Sequence, residues 1–236
     1  MSRCGSTLVS QMLAAAQSNR ILSEPTALNA LFSGFLLRPE FPRKKMAGWL
    51  RTLVSAMGCA LAGESRYFLK LECWHTLALP LLMEAFPQTP WIFLHREPAE
   101  VLVSQVRLPG SWTVPDALDP RVFELTEGEV PGMPKAEYHA RLLATIGKAA
   151  LRYRDLGFGK LVNYRELPEW SWMGLPEHFG LTFDPTEVEQ MRRAAQRNAK
   201  TPQLTFADDR QQKRHEVTAE IQSAVDRWLT PVFGKL

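Results

Sequence analysis

Three short apolar runs fix what this chain can fold into: Tyr67-Phe68-Leu69-Lys70-Leu71, Trp91-Ile92-Phe93-Leu94-His95 and Lys160-Leu161-Val162-Asn163-Tyr164. Each has the length of a buried strand and is too short for a helix. Longer stretches with apolar residues at helical spacing lie between them. Strands that alternate with helices pair in parallel through crossover helices, which cover the faces of the sheet. The expected fold class is therefore α/β: a three-layer, doubly wound parallel sheet flanked by helices, with its ligand at the carboxyl ends of the strands. The 236 residues fit one such domain over 1–236.

The connecting stretches read as follows. Leu8, Met12 and Ala15-Ala16 put a first helix over Leu8–Gln17, and Ser18-Asn19-Arg20 stops it. Ile21–Pro25 is a short extended piece, because a residue before proline avoids the helical region. Thr26 is placed to cap a helix through about Phe35, and Lys44–Ala62 and Thr76–Phe86 are helical. Pro98 opens a helix through Ser104 and Gln105. Residues 107–134, rich in proline, are expected to form a loop over a substrate site. Helices follow at Ala136–Leu156, Leu175–Gly180 and Pro185–Gln196. Lys200–Lys213 is polar and expected to be irregular, before a last amphipathic helix at Thr218–Val232.

The first residues carry the clearest chemistry. In Ser2-Arg3-Cys4-Gly5-Ser6-Thr7 a glycine between small residues lets backbone approach an anion. The helix that follows points its open N–H groups and its positive dipole end at that anion. Arg3 adds a fixed cation, and Ser6 and Thr7 add hydroxyls. This is a P-loop-type phosphate cradle but not a Walker A loop, since no Gly-Lys-Ser/Thr follows. Such a loop normally leaves a buried strand. Met1 stands almost in the loop. The first strand is therefore expected to be missing, leaving a gap or exposed edge beside the loop, with Met1–Cys4 poorly held.

Composition narrows the function classes. Lys and Arg number 28 against 25 Asp and Glu, a net charge of +3, which suits a small anionic ligand better than nucleic acid. Cys4, Cys59 and Cys73 lack metal-ligand spacing and suggest a reducing, cytoplasmic setting. No run reaches the ~18 apolar residues of a membrane span.

Two of these stretches, taken with others between and after them, resemble the sulfotransferases, which move a sulfonate from 3′-phosphoadenosine 5′-phosphosulfate to an acceptor. Arg3-Cys4-Gly5-Ser6-Thr7 is similar to the family's 5′-phosphosulfate loop, with Cys4 in place of a serine. Arg96-Glu97-Pro98 at the end of a strand, with Ser104 eight positions after Arg96, is similar to its 3′-phosphate motif. The likeness is nearest to the protein-tyrosine and carbohydrate branches. It implies that Glu24 is the general base and that Lys70, ahead of Ala85-Phe86-Pro87, stabilises the transferring group. It also implies a nucleotide contact from Tyr164, in Tyr164-Arg165-Glu166-Leu167. The family's glycine-rich segment near the C-terminus has no counterpart here.

The resemblance thus implies a metal-free transferase. Arg3, Glu24 and Lys70 would be catalytic; Arg3, Cys4, Gly5, Ser6, Thr7, Arg96, Ser104 and Tyr164 would bind the donor or its product, adenosine 3′,5′-bisphosphate. Glu72 and His75 are rival bases, and His95 and His75 also suit a structural role. The acceptor is a small molecule, carbohydrate or peptide, and the protein a monomer or homodimer. Two other readings stay open: a P-loop kinase, and a nucleotide-binding protein that has lost catalysis.

Overall fold

The structure, a computed structural model, describes residues 3–59, 63–115, 117–197 and 210–236. In chain order it runs α1 (Ser6–Ala14), β1 (Asn19–Ser23), α2 (Asn29–Leu37), α3 (Arg43–Met57), β2 (Arg66–Lys70), α4 (Leu79–Ala85), β3 (Trp91–His95) and α5 (Pro98–Arg107). Then come α6 (Lys135–Tyr153), β4 (Gly159–Asn163), α7 (Gly174–Phe179), α8 (Pro185–Ala195), α9 (Arg210–His215), α10 (Ala219–Ala224) and α11 (Thr230–Phe233). A π-helical turn, Val225–Leu229, joins the last two. No described helix is long and apolar enough to cross a membrane.

The protein is a mixed α/β chain, with its strands in two separate parallel ladders. β1 pairs with β2 from Asn19 opposite Arg66 to Ser23 opposite Lys70. β3 pairs with β4 from Trp91 opposite Gly159 to His95 opposite Asn163. Gly159 is required in the second ladder, because a Cβ there would lie 2.3 Å from the Trp91 ring. The expected single sheet is thus absent among the described residues: β2 and β3 do not pair with each other. The loop meets both ladders. Thr7 meets the end of β2, and Gly5 packs on the turn after β4.

Several boundaries move for local reasons. The extended piece near Pro25 is a full strand, starting at Asn19 and stopping at Ser23. Residues 26–28 form a tight turn of 3₁₀-helix before α2, with Pro25 rather than Thr26 at its start and no side-chain cap. Residues 73–78 are likewise 3₁₀, so α4 is shorter than the periodicity implied. The proline-rich stretch after α5 has three 3₁₀ turns, Ser111–Thr113, Pro120–Phe123 and Glu127–Glu129, and no longer helix. The polar segment expected to be irregular falls largely outside the described residues, but its end, Arg210–His215, is helical.

The helices cover the ladders and share one continuous core. α1 packs on β1 and α8, α3 on α4, and α5 against α6 and α9. α6 is the longest element and buries one face, including Leu142, Leu143 and Ile146, beneath the 3₁₀ turn at 73–78 and the C-terminal helices. α8 shows how sharply sequence sets a boundary. The Asp184 carboxylate accepts from the Glu187 N–H, Glu187 reaches back to Asp184, and Pro185 opens the first turn.

Candidate functional site

The carboxyl ends of both ladders converge on the loop 3–7. Gly5 caps α1 at φ 87°, a left-handed conformation that suits glycine. A side chain there would also collide, since a Cβ would lie 2.8 Å from Leu167 and 2.9 Å from the Tyr164 ring. No side chain caps the start of α1. Its first intrahelical bond runs from the Val9 N–H to the Gly5 carbonyl at 3.0 Å, so the helix directs unshared backbone donors toward the loop. Cys4 is fully buried, and burial pushes its thiol pKa up to about 11, so it is a neutral thiol at physiological pH.

On the β1–β2 side, Glu24 and Lys70 stand together at the strand ends. The Lys70 ammonium lies 2.7 Å from the Glu24 carboxylate and donates to the Thr7 hydroxyl at 3.4 Å. Glu24 adopts φ 50°, uncommon for a residue with a side chain, and its N–H donates to the Lys70 carbonyl at 2.8 Å. That bond continues the ladder by one step and turns the carboxylate back over Lys70. Glu24 is 47% exposed and Lys70 12%, so a carboxylate open to solvent sits on a shielded ammonium. Water reaches the carboxylate side of the pair, which screens it in part and leaves that side open to an incoming group.

On the β3–β4 side, Arg96 leaves the strand as expected and turns inward. Its Nε donates to the Glu100 carboxylate at 2.5 Å, and its guanidinium lies 4.3 Å from the centre of the Tyr164 ring. Tyr164 therefore touches both Gly5 and Arg96. It is held in a turn in which the Asn163 side chain accepts from the Arg165 N–H, and Glu166 accepts from the Asn163 N–H. Ser104 lies two turns into α5 but is buried, and its hydroxyl donates to the Glu100 carbonyl at 2.9 Å. Arg96 and Ser104 thus share Glu100, a residue that the motif spacing does not reveal. The α9 residue Arg214 approaches the other Glu100 oxygen at 3.9 Å.

Arg3 departs from expectation. Its guanidinium donates to the Leu108 carbonyl, just past α5, at 2.5 Å. Burial, and then Arg107, lower its pKa. Met1 and Ser2 lie outside the described residues, but Cys4 and Arg3 are held, so the expected looseness does not extend to them. The rivals for the base are otherwise engaged. Glu72 accepts from Asn29 at 3.1 Å and from the Trp74 indole at 3.0 Å. His75 is fully buried, with Nε2 3.0 Å from Asn29 and its ring against Phe32 and Trp74. Burial drives its pKa down to about 3. His95 is buried in its strand, and burial lowers its pKa too.

A scan of protein-family models and a search of curated proteins find no match to this chain. Its own geometry defines a class: a mixed α/β protein with an uncapped helix start, a shielded lysine–glutamate pair and an arginine–tyrosine stack around one glycine loop.

Proposed function

We propose that this protein is a sulfotransferase that takes its sulfonate from 3′-phosphoadenosine 5′-phosphosulfate and passes it to a hydroxyl or amine. The observation that carries the reading is the meeting of Thr7, Lys70 and Glu24 on one side of the loop, with Tyr164 and Arg96 on the other. The finer architecture belongs to the same proposal. Placing one strand between β2 and β3 would join the ladders into a doubly wound parallel sheet with the loop at its centre.

The residues suit the donor's charges. The Gly5 turn and the α1 N–H groups would hold the 5′-phosphosulfate, and Arg96 the 3′-phosphate, which would share that guanidinium with Glu100. When bound, the donor supplies an activated sulfonate on a phosphate leaving group. Glu24 takes the acceptor's proton as the acceptor atom bonds to sulfur and the sulfur–oxygen bond to phosphate breaks. Lys70 and the α1 N–H groups stabilise the charge left on the departing phosphate. Cys4 contributes its backbone and packing, and Arg3 fixes the loop against α5.

One observation favours a second reading, a nucleotide-binding protein without catalysis: the strands form two separate two-stranded ladders, with no described strand joining β2 to β3. Incubation with radiolabelled donor and a mixed panel of phenols, sugars and tyrosine peptides separates the two. Label transferred to any acceptor supports the enzyme. Donor-product binding without transfer to any class supports the second reading.

A further inference from the structure

Residues 38–51 form a surface that the donor site does not use. From Arg38 through Lys45 every residue is exposed. Pro39 and Pro42 stiffen this stretch, and Phe41 projects between them. Across from it stands Trp49 on α3, and the two rings meet edge to face with centroids 6.4 Å apart. Each is 43% exposed, which is high for two large apolar side chains in contact. The inner face of α3, Met46, Ala47, Leu50 and Val54, is committed to the core, so the aromatic pair belongs to the outer surface.

Positive charge is dense along the same stretch. Between 38 and 51 there are five cations, Arg38, Arg43, Lys44, Lys45 and Arg51, and one acid, Glu40. Glu40 pairs with Arg38 at 3.6 Å, and Glu84 on α4 pairs with Arg43 at 3.7 Å. Lys45 lies over the Trp49 ring at 5.3 Å. Among the described residues, Lys44 and Arg51 have no ion-pair partner. The stretch contains no Asn, Gln, Ser, His or Tyr. The next hydroxyl along α3, Thr52, donates back to the Gly48 carbonyl at 3.1 Å.

We propose that this face docks on the surface of an anionic lipid bilayer. It offers two things, diffuse positive charge and an aromatic wedge, and the headgroup region of a negatively charged membrane accepts both. Lysine and arginine stems flank apolar rings while their heads stay in water, the arrangement that suits such an interface. Beyond its Lys and Arg residues, Glu40 and the Trp49 indole the stretch carries no polar side chain, so the amides and hydroxyls that help to read bases and sugars are missing. The inference is independent of the sulfonate-transfer reading.

Vesicle co-sedimentation tests it, with phosphatidylcholine alone and with about one third phosphatidylserine, at salt from ~0.05 M to ~0.5 M. The full chain is expected to sediment with the anionic vesicles at low salt and to be released at high salt. Lys44→Glu with Arg51→Glu, and separately Phe41→Ser with Trp49→Ser, are each expected to weaken binding about tenfold or more. All four positions are on the surface, so thermal melting should be unchanged; should the aromatic double variant melt early, Phe41→Ser alone carries that arm. The proposal is overturned if anionic vesicles leave the protein in the supernatant at low salt. It is also overturned if the aromatic variant binds them as the parent does, or if single-stranded polyuridine competes equally, either of which would make the face a general polyanion site.

Discussion

At the scale of single residues, the proposed proton acceptor is Glu24, while Glu72 is held by Asn29 and Trp74. Glu24→Gln is expected to keep bisphosphate binding and to lower transfer by ~10²–10⁴, the usual cost of removing a general base. Glu72→Gln, which keeps an acceptor for one of Asn29 and Trp74 and loses the other bond, should cost transfer far less; initial-rate measurements that reverse this order would move the base to Glu72. Arg96 and Glu100 form a second test. Both are buried, at 6% and 3% exposure, and removing one partner strands the other's charge. Arg96→Ala should cost about 3–5 kcal/mol of stability, and adding Glu100→Gln should return part of it. Equal, additive losses in a chemical-denaturation cycle would mean the pair is not coupled. The residue types of the site were legible in the sequence, and so was the spacing of Arg96 and Ser104. Glu100 was not, because a glutamate one helical turn after an arginine usually marks an exposed pair; only burial gives it weight. Arg3 was legible as a cation, but not its direction, which the end of α5 decides.

At the scale of elements, strands were easier to read than helix starts. Trp91–His95 is a compact run broken by Arg96-Glu97-Pro98, and its limits are the observed ones. Asn19–Ser23 reads less clearly, because Asn19 and Arg20 are polar; its pairing with β2, not its own pattern, makes it a strand. The 3₁₀ turns at 26–28 and 73–78 carry no sequence signature that separates them from the first turn of a helix. The two separate ladders fit the proposed reading of residues 3–7 as a loop that normally follows a strand. It gives an element-scale prediction. An engineered apolar strand of about five residues placed ahead of Arg3 should pair with β2 and β3, raise the melting temperature and tighten bisphosphate binding together. Unchanged melting and affinity would show that the flanks of β2 and β3 are not a slot for a strand.

At the scale of the whole molecule, one continuous core ties the loop to α6, α8 and the C-terminal helices, so buried titrating groups report on the entire fold. His75 and His139 are both buried, and burial lowers their pKa values to about 3 and about 4. Their unfolded value is near 6.5, so between these limits the unfolded chain binds more protons. Stability should be full above about pH 6.5 and fall steadily as pH drops toward 4. His75→Gln keeps a donor for Asn29 and should flatten that fall; an unchanged profile would remove His75 as a cause. The central claim, however, is the donor site, and it predicts a preference for a ligand phosphorylated at both ends. Titration calorimetry with adenosine 3′,5′-bisphosphate beside adenosine 5′-monophosphate measures this directly. The account predicts saturable one-to-one binding of the bisphosphate, at least tenfold tighter than the monophosphate, about 1.4 kcal/mol for the second phosphate. Equal affinity for the two, or no binding of either, would contradict it.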